Sequence, residues 1–349
     1  IYVNNPNFYT RYKNIISKSK NIFLIKNVTA YDLKINQEKA EKVICKDLDN
    51  KKIEFSSENF IFNMGTFENV RFFLELKKKY KNFLNLGIGN YFHDHLGINI
   101  GEVEIHDKNL FREKFSNKHS GKLIIRKKIS NIRNSFDELG ISGEFINNEE
   151  PKNFLLTKEN IRNFKNYKNF KFLFKILKDY KNFQIYKNFF REYFFHNRIY
   201  SFPNRKANFY IQSEQLPIKE SKLDITDEIL KDGLPKLNLN WKLSGVEYDQ
   251  IIDYSKKVKF FLEKNKLGKL NIRINSQDEF YQSIIDTNHP SGGLIMSNKY
   301  EEGSCDQNQK IWNTNNVYVN GPCVFPNSGY ANIGLTVLAL TKKLANNFK

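Results

Sequence analysis

The sequence predicts mixed α and β structure divided between two domains, and three observations lead there. The 349 residues are enough for two separate hydrophobic cores. Toward the start, Asn59-Phe60-Ile61-Phe62-Asn63-Met64 is an apolar run that ends at Gly65. Val70, Phe73 and Leu74 then follow at helical spacing, so a strand, a glycine turn and a helix succeed one another. Toward the end, Val317-Tyr318-Val319 reads as a strand, Gly321-Pro322 and Pro326-Asn327-Ser328-Gly329 as loops, and the stretch from Ile333 to Phe348 as a helix.

The remaining elements are read in chain order. Asn21-Ile22-Phe23-Leu24-Ile25 is a short apolar run and a strand candidate. Ala40 to Cys45 and Lys52 to Phe55 are further candidates, separated by the turn signal Asp47-Leu48-Asp49-Asn50. Residues 96–288 read as a separate domain. Within it, Ile161–Phe195 repeats Lys-Asn-aromatic units. Phe164, Tyr167, Phe170, Phe174, Leu177 and Tyr180 recur at spacings of three and four, which predicts an amphipathic helix with a basic outer face. Such a helix would suit bases or a membrane surface, but a core-facing stripe under a solvated lysine face is the commoner use. The unit is too irregular for a solenoid repeat. In the last helix, Leu335, Leu338, Ala339 and Leu344 form the expected apolar face. Lys342 and Lys343 sit toward its C-terminal half, where the helix dipole favours cations.

Composition excludes several classes. A hydrophobic content of 40% with 31 Phe excludes a disordered chain. No apolar run approaches the roughly eighteen residues of a transmembrane helix. The cysteines, Cys45, Cys305 and Cys323, are odd in number and unpaired in spacing. That argues against a disulfide framework and for a reducing, cytoplasmic setting. The net charge of +18 would attract polyanions. Lys, Asn, Ile, Phe and Tyr are all abundant together, however, which favours compositional drift over a specific nucleic-acid surface. The chain opens on Ile1 rather than Met, so a processed or truncated N-terminus is expected.

Two residues stand out for chemistry. His289 lies in Asn288-His289-Pro290-Ser291-Gly292-Gly293-Leu294-Ile295-Met296-Ser297. Asn332 lies in Gly329-Tyr330-Ala331-Asn332-Ile333-Gly334-Leu335-Thr336, just before a helix. Alone, each has an ordinary explanation: a satisfied structural histidine, and an N-cap.

Together with other segments they resemble the glucose–methanol–choline (GMC) oxidoreductase family. His289-Pro290-Ser291-Gly292 and Met296 match its His-Pro-x-Gly-Thr-x-x-Met pattern, with Gly293 in place of Thr. Asp306 to Trp312 follow as its link to the next strand. Asn316-Val317-Tyr318-Val319 and Phe325-Pro326 match its Asn-Leu-Tyr-Val … Phe-Pro segment. Ala331-Asn332-Ile333-Gly334-Leu335-Thr336 matches Ala-Asn-Pro-x-Leu-Thr, with Ile333 in place of Pro. Gly89 to His95 resembles Gly-Arg-Asn-Leu-x-Asp-His. Gly65-Thr66-Phe67-Glu68-Asn69-Val70-Arg71 resembles the Gly-x-x-Glu-Asn-x-Arg form found among sugar- and polyol-oxidising members. Glu214-Gln215-Leu216-Pro217, Gly233-Leu234-Pro235 and Trp241 resemble the middle segment.

The resemblance implies an α/β plus α+β fold. Residues 1–95 and 297–349 would form the remainder of a Rossmann-like FAD-binding domain, and 96–296 an antiparallel-sheet substrate domain. The family's Gly-x-Gly-x-x-Gly phosphate loop is not found; Gly87-Ile88-Gly89 lacks the third glycine. That loop is expected upstream of Ile1, and the chain alone would then bind FAD poorly. The implied activity is oxidation of an alcohol, of sugar or polyol type, with hydride transfer to flavin. His289 would be the base and Asn332 would orient the alcohol oxygen. Val28, Gly65, Asn320, Gly321, Ala331 and Ile333 would line the cofactor. The resemblance names no electron acceptor. His93 and His95 without further ligands do not make a metal site; Asp94 and His95 read as structural, and Glu214 and Gln215 as residues that either reach the substrate pocket or serve the sheet. The competing class is a non-catalytic basic module that binds polyanions.

Overall fold

The computed structural model describes residues 7–83, 86–120, 123–131, 138–148, 150–156, 158–159, 182–231 and 233–348. The Lys/aromatic spacing from Phe164 to Tyr180 lies outside them. The end of that stretch is described, as a helix at Phe183–Phe190 followed by a π-helical turn at Arg191–Phe195.

Two apolar cores organise the chain. The first begins with an antiparallel sheet of Val28–Asn36, Lys39–Asp47 and Lys52–Ser56. The Asp47 signal makes the expected turn: its carboxylate accepts from the N–H groups of Asp49 at 3.0 Å and Lys51 at 2.8 Å, and Asn50 takes φ +61°. Phe60–Phe62 then pairs in parallel with Val317–Val319, joining segments far apart in the chain. The helix Gly65–Lys79 follows the first of these strands and buries Val70, Phe73, Leu74 and Leu76. The hairpin Lys222–Ile229 and Pro235–Asn240 closes this core with Leu223, Ile225 and Leu237.

The second core lies against a larger antiparallel sheet. Its order is Gly268–Ile272, Leu96–Ile105, Lys206–Ser213, Ile141–Asn147 and Ile129–Ser130; the short strand Ile285–Asp286 also pairs with Leu96–Ile105. The helix Val246–Lys264 lies on it and buries Ile251, Tyr254, Val258 and Leu262. The architecture is therefore mixed α and β with antiparallel sheets. Among the described residues, parallel pairing in a ladder is confined to Phe60–Phe62 and Val317–Val319, so a Rossmann-like sheet is not seen.

Two expectations are corrected. Asn21–Ile25 forms no strand; Phe23 is 84% exposed, and Ile22, Leu24 and Ile25 are also exposed. Apolar content alone cannot supply a pairing partner. The last helix, Gly334–Asn346, turns a different face inward. Val337 and Leu340 pack on the first core with Ile333 and Leu344 is buried, while Leu335, Leu338 and Ala339 are exposed. Both stripes are apolar at helical spacing, so periodicity could not choose between them. Side-chain bonds choose: Thr341 Oγ1 donates to Asn320 Oδ1 at 3.0 Å, and Gln309 Nε2 donates to the Leu340 carbonyl at 3.0 Å.

Candidate active site

Three motif segments are laced together by backbone bonds. Gly89 N–H donates to Gly293 O at 2.7 Å, and Gly293 N–H to Asn90 O at 3.1 Å. His93 and Ser291 exchange bonds of 3.0 and 2.8 Å. Gly292, Leu294 and Met296 donate to Pro322, Cys323 and Val324 at 3.1, 3.0 and 2.9 Å. Thr66, in the first turn of its helix, donates from Oγ1 to Pro290 O at 2.6 Å. Thus the Gly65 helix, the Asp94-His95 block and the strand end at Asn320 all fix the His289 loop.

The departure at Gly293 has a steric cause. Its φ is +86°, and a Cβ there would stand 2.5 Å from Val70 Cγ2. The family's Thr does not fit against this helix.

His289 is half-buried, and its surroundings assign its protons. Asp94 is the anchor. Its carboxylate accepts from the His289 N–H at 3.1 Å to each oxygen, from His95 N–H at 2.6 Å and from Thr287 Oγ1 at 3.3 Å. Burial, first, pushes the Asp94 carboxyl above its ordinary range. Thr287 Oγ1 also lies 2.9 Å from His289 Nδ1. A hydroxyl has one proton; given to Asp94, it leaves oxygen lone pairs for Nδ1–H. Nε2 of His289 is then the unprotonated nitrogen.

Two more histidines crowd the site. The ring of His95 lies 4.9 Å from that of His289 at 35°, and is buried. Burial, then the neighbouring His289, lowers its pKa to about 4. His93 is also lowered to about 4 by burial; its Nδ1 lies 2.8 Å from Tyr91 O, while Nε2 is buried without a partner. The two rings turn to different neighbours, and no three metal-ligating side chains converge among the described residues. A cavity of about 300 Å³ lined by Phe67, Phe92, Asp94, Trp241 and Pro290 opens beside the loop.

The other expected site residues are more dispersed. Asn332 is exposed and lies one residue before Ile333, the cap position of the last helix; none of the described contacts joins it to His289. Ala331 is exposed beside it, and Ile333 is buried in the first core. Asn320 is buried, with Nδ2 donating to Gln309 at 2.7 Å and Oδ1 accepting from Thr341. Gly321 follows at φ +125°. Val28 lines a cavity of about 230 Å³ with Met64, Glu68 and Arg71, apart from the His289 loop. Gln215 is structural: it accepts from Trp241 Nε1 at 2.7 Å and Asp94 N–H at 3.1 Å. Glu214 accepts from Gly140 N–H at 2.7 Å. Sequence reading missed Thr287 and Gln212, and it read Asp94 and His95 as structural only. The Asp94-His95 motif was the available signal, because it stands in the same ordered set of motifs as the His289 segment.

Residues 217–341 match the family model described as GMC oxidoreductase, over its C-terminal part. No curated protein matches the sequence significantly. Among solved structures, pyridoxine 4-oxidase from Mesorbium loti is similar at 12% identity and a TM-score of 0.59, over 94% of this chain and 58% of that one. A formate oxidase structure is similar at 14% identity and 0.51, over 95% and 61%. An FAD-dependent oxidoreductase from Chaetomium thermophilum is similar at 12% identity and 0.52, over 98% and 64%. The chain thus shares their fold and spans about three fifths of their length. Residues 217–341 thus match the C-terminal model of the GMC oxidoreductase family, and the fold brings together the motifs by which the sequence resembles that family.

Proposed function

We propose that the protein is an FAD-dependent oxidoreductase that oxidises the CH–OH group of an alcohol, of sugar or polyol type, with His289 as base. The observation that carries this reading is the Asp94–Thr287–His289 chain, which leaves Nε2 of His289 free to accept a proton. The flavin, when bound, supplies the acceptor for the hydride of the carbinol carbon. The residues present fit such a group. A Cβ placed at Gly65 would meet nothing within 4 Å, which leaves a cradle at the start of that helix. The last helix has no side-chain N-cap bond, so its terminal N–H groups remain available to an anion. Val28 and Met64 wall the adjoining cavity. These residues, with Asn320, Gly321, Ala331 and Ile333, would hold the cofactor from domains bounded at 95 and 297.

His289 takes the hydroxyl proton at Nε2. Its Nδ1–H stays on Thr287, and the nearby Asp94 carboxylate stabilises the imidazolium that forms. Asn332 holds the alcohol oxygen in line by a hydrogen bond. The Glu68-Asn69-Arg71 form of the helix motif favours a polyhydroxylated substrate by resemblance, although Asn69 itself is spent on Asn320 O at 3.1 Å.

Protein expressed from its complete coding sequence should show flavin absorbance that some alcohol, sugar or polyol bleaches without oxygen. His289→Ala should slow bleaching by roughly 10²–10⁴-fold. A folded protein that carries no flavin overturns the reading.

A further inference from the structure

Beside the base lies a buried imidazole with no part in the proton transfer above. Its surroundings leave His95 one tautomer. Gln212 Oε1 faces the Lys128 ammonium at 3.2 Å, and an ammonium only donates. The other end of the amide, Nε2–H, therefore points at His95 Nδ1, 2.8 Å away. Nδ1 accepts, so Nε2 carries the proton, and it faces the Ser328 carbonyl in a long bond of 3.4 Å. The Ser328 loop is seated a second time: the Tyr330 ring lies on Gly140, where a Cβ would stand 2.1 Å from Cδ1. One face of His95 meets His289, and its edge meets the loop that leads to Asn332.

We propose that His95 is a positioning residue: locked by Gln212, its ring orients the His289 imidazole and registers it against the Ser328–Asn332 loop. The assignment rests on His289 being the base of the proposed reaction. It gives a purpose to a Lys128–Gln212–His95 chain that the proton transfer does not use.

Nitrogen-15 NMR of the histidine rings in the whole chain, assigned by substitution, tests it at neutral pH. Wild-type His95 should be the Nε2–H tautomer. Gln212→Leu should free that tautomer and shift the ring resonances of His289; His95→Phe should shift them too. In flavin-loaded protein, Gln212→Leu should lower kcat on the order of tenfold with KM within about twofold, since a misoriented base slows chemistry more than binding. Unchanged His289 resonances in folded Gln212→Leu overturn the proposal, as does an Nδ1–H tautomer at wild-type His95. If His95→Phe fails to fold, Gln212→Leu decides alone. The base reading fails separately: full activity in His289→Ala refutes it, whatever the rings show.

Discussion

Gly293 and Asp94 are small residues with large consequences for the His289 loop. Gly293 holds φ +86° with Val70 Cγ2 2.5 Å from where a Cβ would be. Gly293→Ala must move the helix or the loop, and it also meets the cost of left-handed backbone. The expected destabilisation is about 2–4 kcal/mol, read by chemical denaturation. A variant as stable as wild type would mean that Val70 yields freely. Asp94 hydrogen-bonds the backbone and the Thr287 hydroxyl rather than the imidazole ring. The Asp-His motif signals that Asp94 belongs with the His289 segment, but it does not show which loop the carboxylate receives.

At the scale of elements, the parallel pair Phe60–Phe62 and Val317–Val319 joins distant parts of the chain, and Asn316 fastens it. Its Oδ1 accepts from Ala40 N–H at 2.8 Å, and its Nδ2 donates to Ala40 O and Glu58 O, each at 2.8 Å. The side chain thus completes the edge of the hairpin sheet as a strand would. Asn316→Ala leaves the buried N–H and carbonyl of Ala40 without these partners. The expected loss is about 2–4 kcal/mol, and a thermal scan should show a lower midpoint. The strand and helix at 60–79 were legible because an apolar run, a glycine and a helical period fall in order. The inward face of the last helix was not, because Leu335 and Leu338 are as apolar as Val337 and Leu340; the partners at Asn320 and Gln309 decided it.

For the whole molecule, the buried histidines set the response to acid. His93 and His95 have pKa values near 4 when folded and about 6.5 when unfolded. Between those values the unfolded chain binds more protons, so stability falls as pH falls from about 6.5 to 4. The two together contribute up to roughly 3 kcal/mol per pH unit, and the effect is complete below 4. Asp94, raised by burial, works in the opposite sense and offsets part of it. Urea midpoints measured across pH 7 to 4 should decline steadily; a flat profile would show that these rings are not held neutral. The cysteines belong to the same scale: all three are free and buried. Burial pushes Cys323 up to about 12 and Cys305 well above the ordinary thiol range.

By itself the sequence determined the elements whose signals are local: the turn at Asp47, the strand–glycine–helix at Phe60–Lys79, the closing helix, and the ordered motifs that carry the GMC resemblance. Local signals suffice there because backbone preference and side-chain period act over a few residues. Tertiary structure alone decided which of those motifs meet. It set Gly89–His95 against His289–Met296, gave Asp94 to the His289 loop, and laid His95 and Gln212 beside the base. It also left Asn21–Ile25 exposed and turned Leu335 to the surface. Such outcomes depend on partners far apart in the chain, as His93 and Ser291 are, and periodicity carries no information about which distant surface will cover an apolar face or receive a buried polar atom.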